Sequence, residues 1–407
     1  MDNNKTRNYI IALGILLLIF IGIIFYFILR SNVKPLGKPS GGGVLPDTSG
    51  GGSQTFPPKN DDGSPTITPQ PLTASEQQRL VQISKDPVIG ATIKKDRLLY
   101  FKRETGHIFT SPFDASLPEE RLTNFSIPNI INASWSPSRA YTLVTALNET
   151  VPRRFWIHFT STSTIESGFF PENIISPTFS PSEEKLASIA RNGSVSTVII
   201  TTPQGKTPKT VIQTSLPDLE VSWASKTILA LKTRSSAFIP SILQTVSVAG
   251  GAASTILGDA RGLDVLWNAS SNTFITLEVT SDGKRPALVL RDRRAPEQIK
   301  ELSFKTFPEK CVWSRNAPST IYCAIPQNLG SEPIPDGWWK GKVSFNDSIW
   351  KIDTTTGNAS SVLEGGNFDV IHPILSPKEE HLFFINKKDS ILWSLRLIDT
   401  ASSTQSH

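Results

Sequence analysis

A short motif recurs along this chain at a near-constant interval, and that repeat restricts the fold more than any other feature. An aromatic or apolar residue followed by a small polar turn occurs at Trp135 (S-W-S-P-S), Phe179 (T-F-S-P-S), Trp223 (S-W-A-S-K), Trp267 (L-W-N-A-S), Trp313 (V-W-S-R-N) and Leu375 (I-L-S-P-K). The intervals are 44, 44, 44, 46 and 62 residues. Counting back 44 residues from Trp135 reaches Ala91 in V-I-G-A-T, a degenerate first copy, which makes seven units.

The units share an internal order. Strand-like runs such as Leu98–Phe101, Thr142–Thr145 and Leu186–Ile189 follow the anchor and its turn, and second runs such as Phe155–His158 and Thr197–Ile200 come next. An outer run then leads to the following anchor. Four short strands every ~40–45 residues is the period of a propeller blade. Helical solenoids of similar period need longer runs with 3.6-residue periodicity, and none is present. The sequence therefore predicts an all-β chain, a seven-bladed β-propeller over residues 73–400. Six or eight blades stay open, because the anchor Trp is lost at Ala91 and Leu375. The seventh unit lacks an outer strand, and Gln78–Ile83 precedes Ala91 much as Glu120–Thr123 precedes Trp135. That N-terminal strand is expected to complete the last blade.

The W-S-P-S-like anchors and the strand after each resemble TolB-like and WD-type propeller repeats, over about residues 76–400. Trp223, Trp267 and Trp313 depart from the pattern in lacking the Pro. The resemblance implies protein–protein interaction in the cell envelope and carries over no chemistry.

Upstream of the repeats, Tyr9–Leu29 is a run of 21 uncharged residues rich in Ile, Leu and Phe. A helix rising 1.5 Å per residue needs about 20 residues to cross a ~30 Å hydrocarbon core. No small-residue cleavage pattern follows, so the run reads as an uncleaved transmembrane signal anchor behind a short cytoplasmic head, residues 1–8. Lys and Arg flank both ends, so charge alone does not orient it. The N-terminus is expected inside, with the propeller extracytoplasmic, in the periplasm or at the cell surface. Residues 30–72 are dominated by Pro, Gly, Ser and Thr, cannot bury enough apolar surface to offset their ordering entropy, and read as a disordered linker. Residues 401–407 read as a disordered tail.

Cys311 and Cys323 are the only cysteines. They are equidistant from Ala317, the centre of the turn between the first two strands of the sixth unit. An antiparallel hairpin then places them opposite each other, within disulfide reach. A lone pair favours a bridge in an oxidising compartment; two buried free thiols are the alternative.

The formal charge of +5 is spread along the chain, so no groove tracking a phosphate backbone is expected and nucleic acid is set aside as a partner. No G-x-S-x-G, H-E-x-x-H or phosphate-loop motif occurs, and the five His residues are scattered over different units. The reading assigns no catalytic residue, no metal ligand and no cofactor. Asp218, Glu220, Asp264 and Asp369 each lie just ahead of an anchor strand, near a channel mouth. They are candidates for chemistry there or, more simply, turn caps. The sixth unit is about 18 residues longer than its neighbours, with the extra length around Pro326–Asn346. Within it the adjacent Trp338 and Trp339, flanked by Lys340 and Lys342, form the candidate binding site, with at least one of the two Trp expected at the surface; a self-packed loop capping the channel is the alternative. The expected function is a membrane-tethered platform binding an envelope protein or a surface polysaccharide. The alternative is an envelope glycan hydrolase or lyase with its site at the channel mouth.

Overall fold

The computed structural model describes residues 71–160, 165–269 and 271–397. These form seven four-stranded antiparallel sheets, the blades of a β-propeller. The innermost strands are Val88–Lys94, Ile130–Trp135, Ile174–Phe179, Leu219–Trp223, Asp264–Trp267, Cys311–Trp313 and Val370–Leu375, for blades one to seven. The head, the Tyr9–Leu29 run, the linker as far as residue 70 and the tail lie outside the described residues. Among the described residues no helix is long and apolar enough to cross a membrane.

The second strand of each blade shows why the sequence reads as short unbroken apolar runs. Leu98-Leu99-Tyr100-Phe101 and Leu382-Phe383-Phe384-Ile385 are buried throughout. A strand in the middle of a blade faces a neighbouring blade on both sides, so alternation is lost. Outer strands such as Lys209–Thr214 regain exposed positions. Each pair of adjacent blades encloses its own apolar cluster. Tyr100 and Phe383 meet between blades one and seven, Phe101 and Ile157 between one and two, and Trp313 and Ile275 between five and six. Three of the four anchor Trp residues stitch the same interfaces through their ring N–H, and Trp267 does not. Trp135 donates to the Gly90 carbonyl at 2.6 Å, Trp223 to that of Thr178 at 3.2 Å and Trp313 to that of Leu266 at 3.4 Å.

The last blade is closed by the N-terminus. Leu80–Gln82 pairs antiparallel with Ile391–Arg396, register Leu80 to Leu395 and Gln82 to Trp393. A one-and-a-half-turn helix, α1 (Ala74–Arg79), leads into it and starts with a capping box between Thr73 and Glu76. Glu76 also accepts the Glu364 backbone N–H at 2.8 Å, which fastens the entry to blade six. In blade six Cys311 pairs with Cys323 across the first two strands, and the two form a disulfide with Cα atoms 4.1 Å apart.

Candidate functional site

The extra residues of blade six, 327–346, leave its second strand (Thr320–Pro326) and return to its third (Asp347–Asp353), so they lie at the end of the channel where the inner strands begin. A single-turn helix, α2 (Asp336–Trp339), sits at the loop's crest. The Asp336 carboxylate accepts the Ala237 backbone N–H at 2.7 Å and the Ser236 hydroxyl at 3.2 Å, both from blade four. The Ile334 N–H reaches the Gly283 carbonyl of blade five at 2.9 Å. Gly283 has φ +70°, and a Cβ there would fall 2.8 Å from that of Ala237 and 3.1 Å from that of Pro333. Only Gly lets the three loops meet.

The two candidate Trp residues separate. Trp338 is fully buried, which corrects its assignment as a binding side chain. It packs on Phe307 with ring centroids 4.7 Å apart, and its ring N–H lies 3.0 Å from both carboxylate oxygens of Asp369. Beneath it, Lys310 Nζ contacts Asp347 and Asp369, each at 2.6 Å, with all three side chains excluded from solvent. Burial pushes the Asp347 carboxyl up, against the pull of Lys310. Burial acts the same way on Asp369, but Lys310, Trp338 and the Phe345 N–H outweigh it and hold that carboxyl below the usual range. Lys387 lies over the Trp338 ring at 4.0 Å and donates to its carbonyl. Asp369 therefore belongs to the loop's foundation and does not line the mouth.

Trp339 is 39% exposed and donates its ring N–H to Glu309 at 3.2 Å. Lys340 and Lys342 are on the surface, and Lys340 lies 3.5 Å from Asp336. Beside Ala237, in the blade-four loop held by Asp336, Phe238 and Ile239 are 53% and 64% exposed. One rim thus carries three exposed large apolar side chains.

Next to this rim the channel mouth opens as a cavity of about 670 Å³, with Asp218, Glu220, Asp264, Arg191, Lys232 and Arg234 in its walls. The structure brings together three of the four acids singled out in the sequence. Lys232 pairs with Glu220 at 3.1 Å and Arg191 with Asp218 at 3.6 Å. The Asp264 carboxyl is pushed up by burial, with Lys232 opposing, and it accepts the Glu309 N–H at 3.2 Å, linking the cavity to Trp339's partner. Sequence reasoning missed the cations and Phe238 and Ile239. The signal for Lys232 was available, because it sits directly across the strand pair from Glu220. Arg191 comes from another blade, and no local pattern points to it. Among the described residues no three His, Cys, Asp or Glu side chains converge as a metal-ligand set.

No family model matches the chain, and no curated protein is significantly similar to it in sequence. Solved structures do resemble it. An oligogalacturonate lyase in complex with manganese superposes with a TM-score of 0.54 at 10% identity, covering 82% of this chain and 99% of the other. An oligogalacturonate lyase from Vibrio parahaemolyticus gives 0.52 at 9%, covering 78% and 92%. The β-propeller domain of the trilobed protease from Pyrococcus furiosus gives 0.50 at 10%, covering 78% and 99%. At such identities the likeness establishes the propeller fold alone.

Proposed function

We propose that this chain is a binding platform whose upper face, the end carrying the blade-six loop, engages an envelope protein or surface polysaccharide. The observation that carries the reading is the rim of Phe238, Ile239 and Trp339 beside a mouth lined with paired charges. Exposed aromatic and aliphatic side chains grouped around a cleft with Arg nearby are the composition of interaction hot spots. The loops bearing them are fixed to each other through Asp336, so little ordering cost attaches to binding.

The setting belongs to the same proposal. Tyr9–Leu29 anchors the chain in a bilayer with its N-terminus inside, and the Pro/Gly/Ser-rich segment after it holds the propeller outside the cytoplasm. The disulfide supports an oxidising compartment, and the resemblance to TolB-like repeats supports the cell envelope. Cross-linking in native membranes followed by mass spectrometry tests the platform. The Phe238→Ala/Trp339→Ala double variant is expected to lose its main partner at least tenfold while its circular dichroism is unchanged. An unaltered partner set rejects the rim as the contact surface. Protease added to spheroplasts, whose outer envelope is opened while the anchoring membrane stays sealed, should release the propeller; protection until that membrane is lysed rejects the extracytoplasmic location.

The raised Asp264 carboxyl favours a second reading, a hydrolase or lyase acting on an envelope glycan at the mouth. Oligogalacturonate lyases share the fold. Release of shortened or unsaturated products from polygalacturonate, abolished by Asp264→Asn, is the result this reading requires.

A further inference from the structure

The seven blades repeat one meander around an axis, so all innermost strands run in the same direction along the channel. Their first residues form the upper mouth and their last residues the opposite end. At that opposite end two adjoining cavities, of about 370 and 710 Å³, share Arg139 and Arg315 in their walls. Arg139 lies in the turn after the inner strand of blade two, and Arg315 in the corresponding turn of blade six. Lys94 and Lys95 of blade one line the outer cavity, and His372 lines the larger one. No Asp or Glu lines either. The upper mouth is different, since its Lys232 and Arg191 face carboxylates.

The two guanidinium groups are placed without being neutralised. Arg139 donates Nε to the Ile93 carbonyl at 3.0 Å and Nη1 to the carbonyls of Ser136, at 3.3 Å, and Pro137. These acceptors orient the group and leave its charge. Arg315 is held by its main chain. Its backbone N–H donates to Glu379 at 2.6 Å, and the same carboxylate is occupied by the Asn316 N–H and the Ser314 hydroxyl. Among the described residues the Arg315 guanidinium makes no hydrogen bond or ion pair. Glu184, whose charge acts on Arg139, spends one oxygen on the Ser138 N–H at 3.0 Å. Burial lowers the Arg139 pKa, and the like charge of Arg315 lowers it further, with Glu184 opposing. Two cations that repel across a cavity without a carboxylate in its wall are relieved by an anion between them.

We propose that this lower end of the channel is a binding site for a small polyanion presenting carboxylate or phosphate oxygens, with Arg139 and Arg315 as the paired donors. A guanidinium fork suits either group bidentately. The site is separate from the upper face and stands whether or not that face binds a partner.

Isothermal titration calorimetry of the purified full-length chain at low salt tests it, with citrate as the carboxylate probe and inorganic phosphate as the other. At least one should bind at a single saturable site, and the tighter of the two identifies the ligand chemistry. Arg315→Gln, which changes an exposed side chain with no bonds to lose, should weaken that binding at least tenfold. Arg103→Gln, an exposed cation in a turn of blade one that lines neither end of the channel, should leave it within twofold. If neither probe saturates at millimolar concentration, or if Arg315→Gln binds as tightly as the parent, the assignment is wrong.

Discussion

Trp338 and Trp339 are adjacent, and the protein uses them for opposite purposes. Trp338 fills the space between Phe307, Phe345 and the buried Lys310–Asp369 contact. Truncating a buried aromatic leaves a cavity that surrounding side chains close only partly, at a cost of about 3–5 kcal/mol. Here the change also leaves Asp369 without its indole donor. Trp338→Ala should therefore lower the free energy of unfolding in urea by about that amount, whereas Trp339→Ala should change it by about 1 kcal/mol or less. Equal losses for the two variants would contradict the division. At this scale the sequence was partly legible. The disulfide partners could be placed because a two-stranded turn fixes the register of Cys311 and Cys323. Which Trp turned inward was not legible, because the pocket that receives Trp338 is built by Phe307 and Asp369, from parts of the chain before the sixth inner strand and after the sixth blade.

Among the elements, the entry formed by α1 and Leu80–Gln82 carries a pH signature. Burial would raise the Glu76 carboxyl, but the backbone N–H groups of Glu364 and Thr73, the Thr73 hydroxyl and Arg79 together hold it below the ordinary range. A carboxyl depressed in the folded state stabilises the protein above its unfolded value, about 4.3, and that contribution is lost as the pH falls through the folded value. Glu76→Gln should lower the melting midpoint at neutral pH, reflecting about 1–3 kcal/mol for charged hydrogen bonds, and should flatten the decline between about pH 5 and pH 2. A variant whose midpoint tracks the parent at every pH would show that this carboxylate does not fasten the closure. The closing strand itself was readable from its likeness to Glu120–Thr123. The capping of α1 onto blade six was not, since Glu76 and Glu364 are far apart in the chain.

For the whole molecule, stability comes from apolar clusters that each belong to two blades, so no blade is complete without its neighbours. Closure makes the ring cooperative. Removing residues 71–83 takes away the strand that covers Ile391–Arg396 and leaves a paired sheet with an open, apolar edge. Such edges recruit other chains. The truncated protein should melt at a lower temperature and elute from size exclusion as dimers or larger species. Monomeric elution at an unchanged melting temperature would show that closure is dispensable. The two ends of the channel also differ only at this scale: cations and carboxylates together at one, cations with no carboxylate in the wall at the other.

By itself the sequence determined the blade and its period, because each copy writes its own apolar anchor, turn and strands within some 44 residues; it favoured seven copies, and the seven sheets of the ring fixed that number. It also determined how the ring closes and where one blade is enlarged. The tertiary structure alone decided what the channel presents. Arg191, Lys232 and Asp264 come from three blades, and Arg139 and Arg315 from two others. The rotation that brings these residues together belongs to the ring, and no interval in the chain records it.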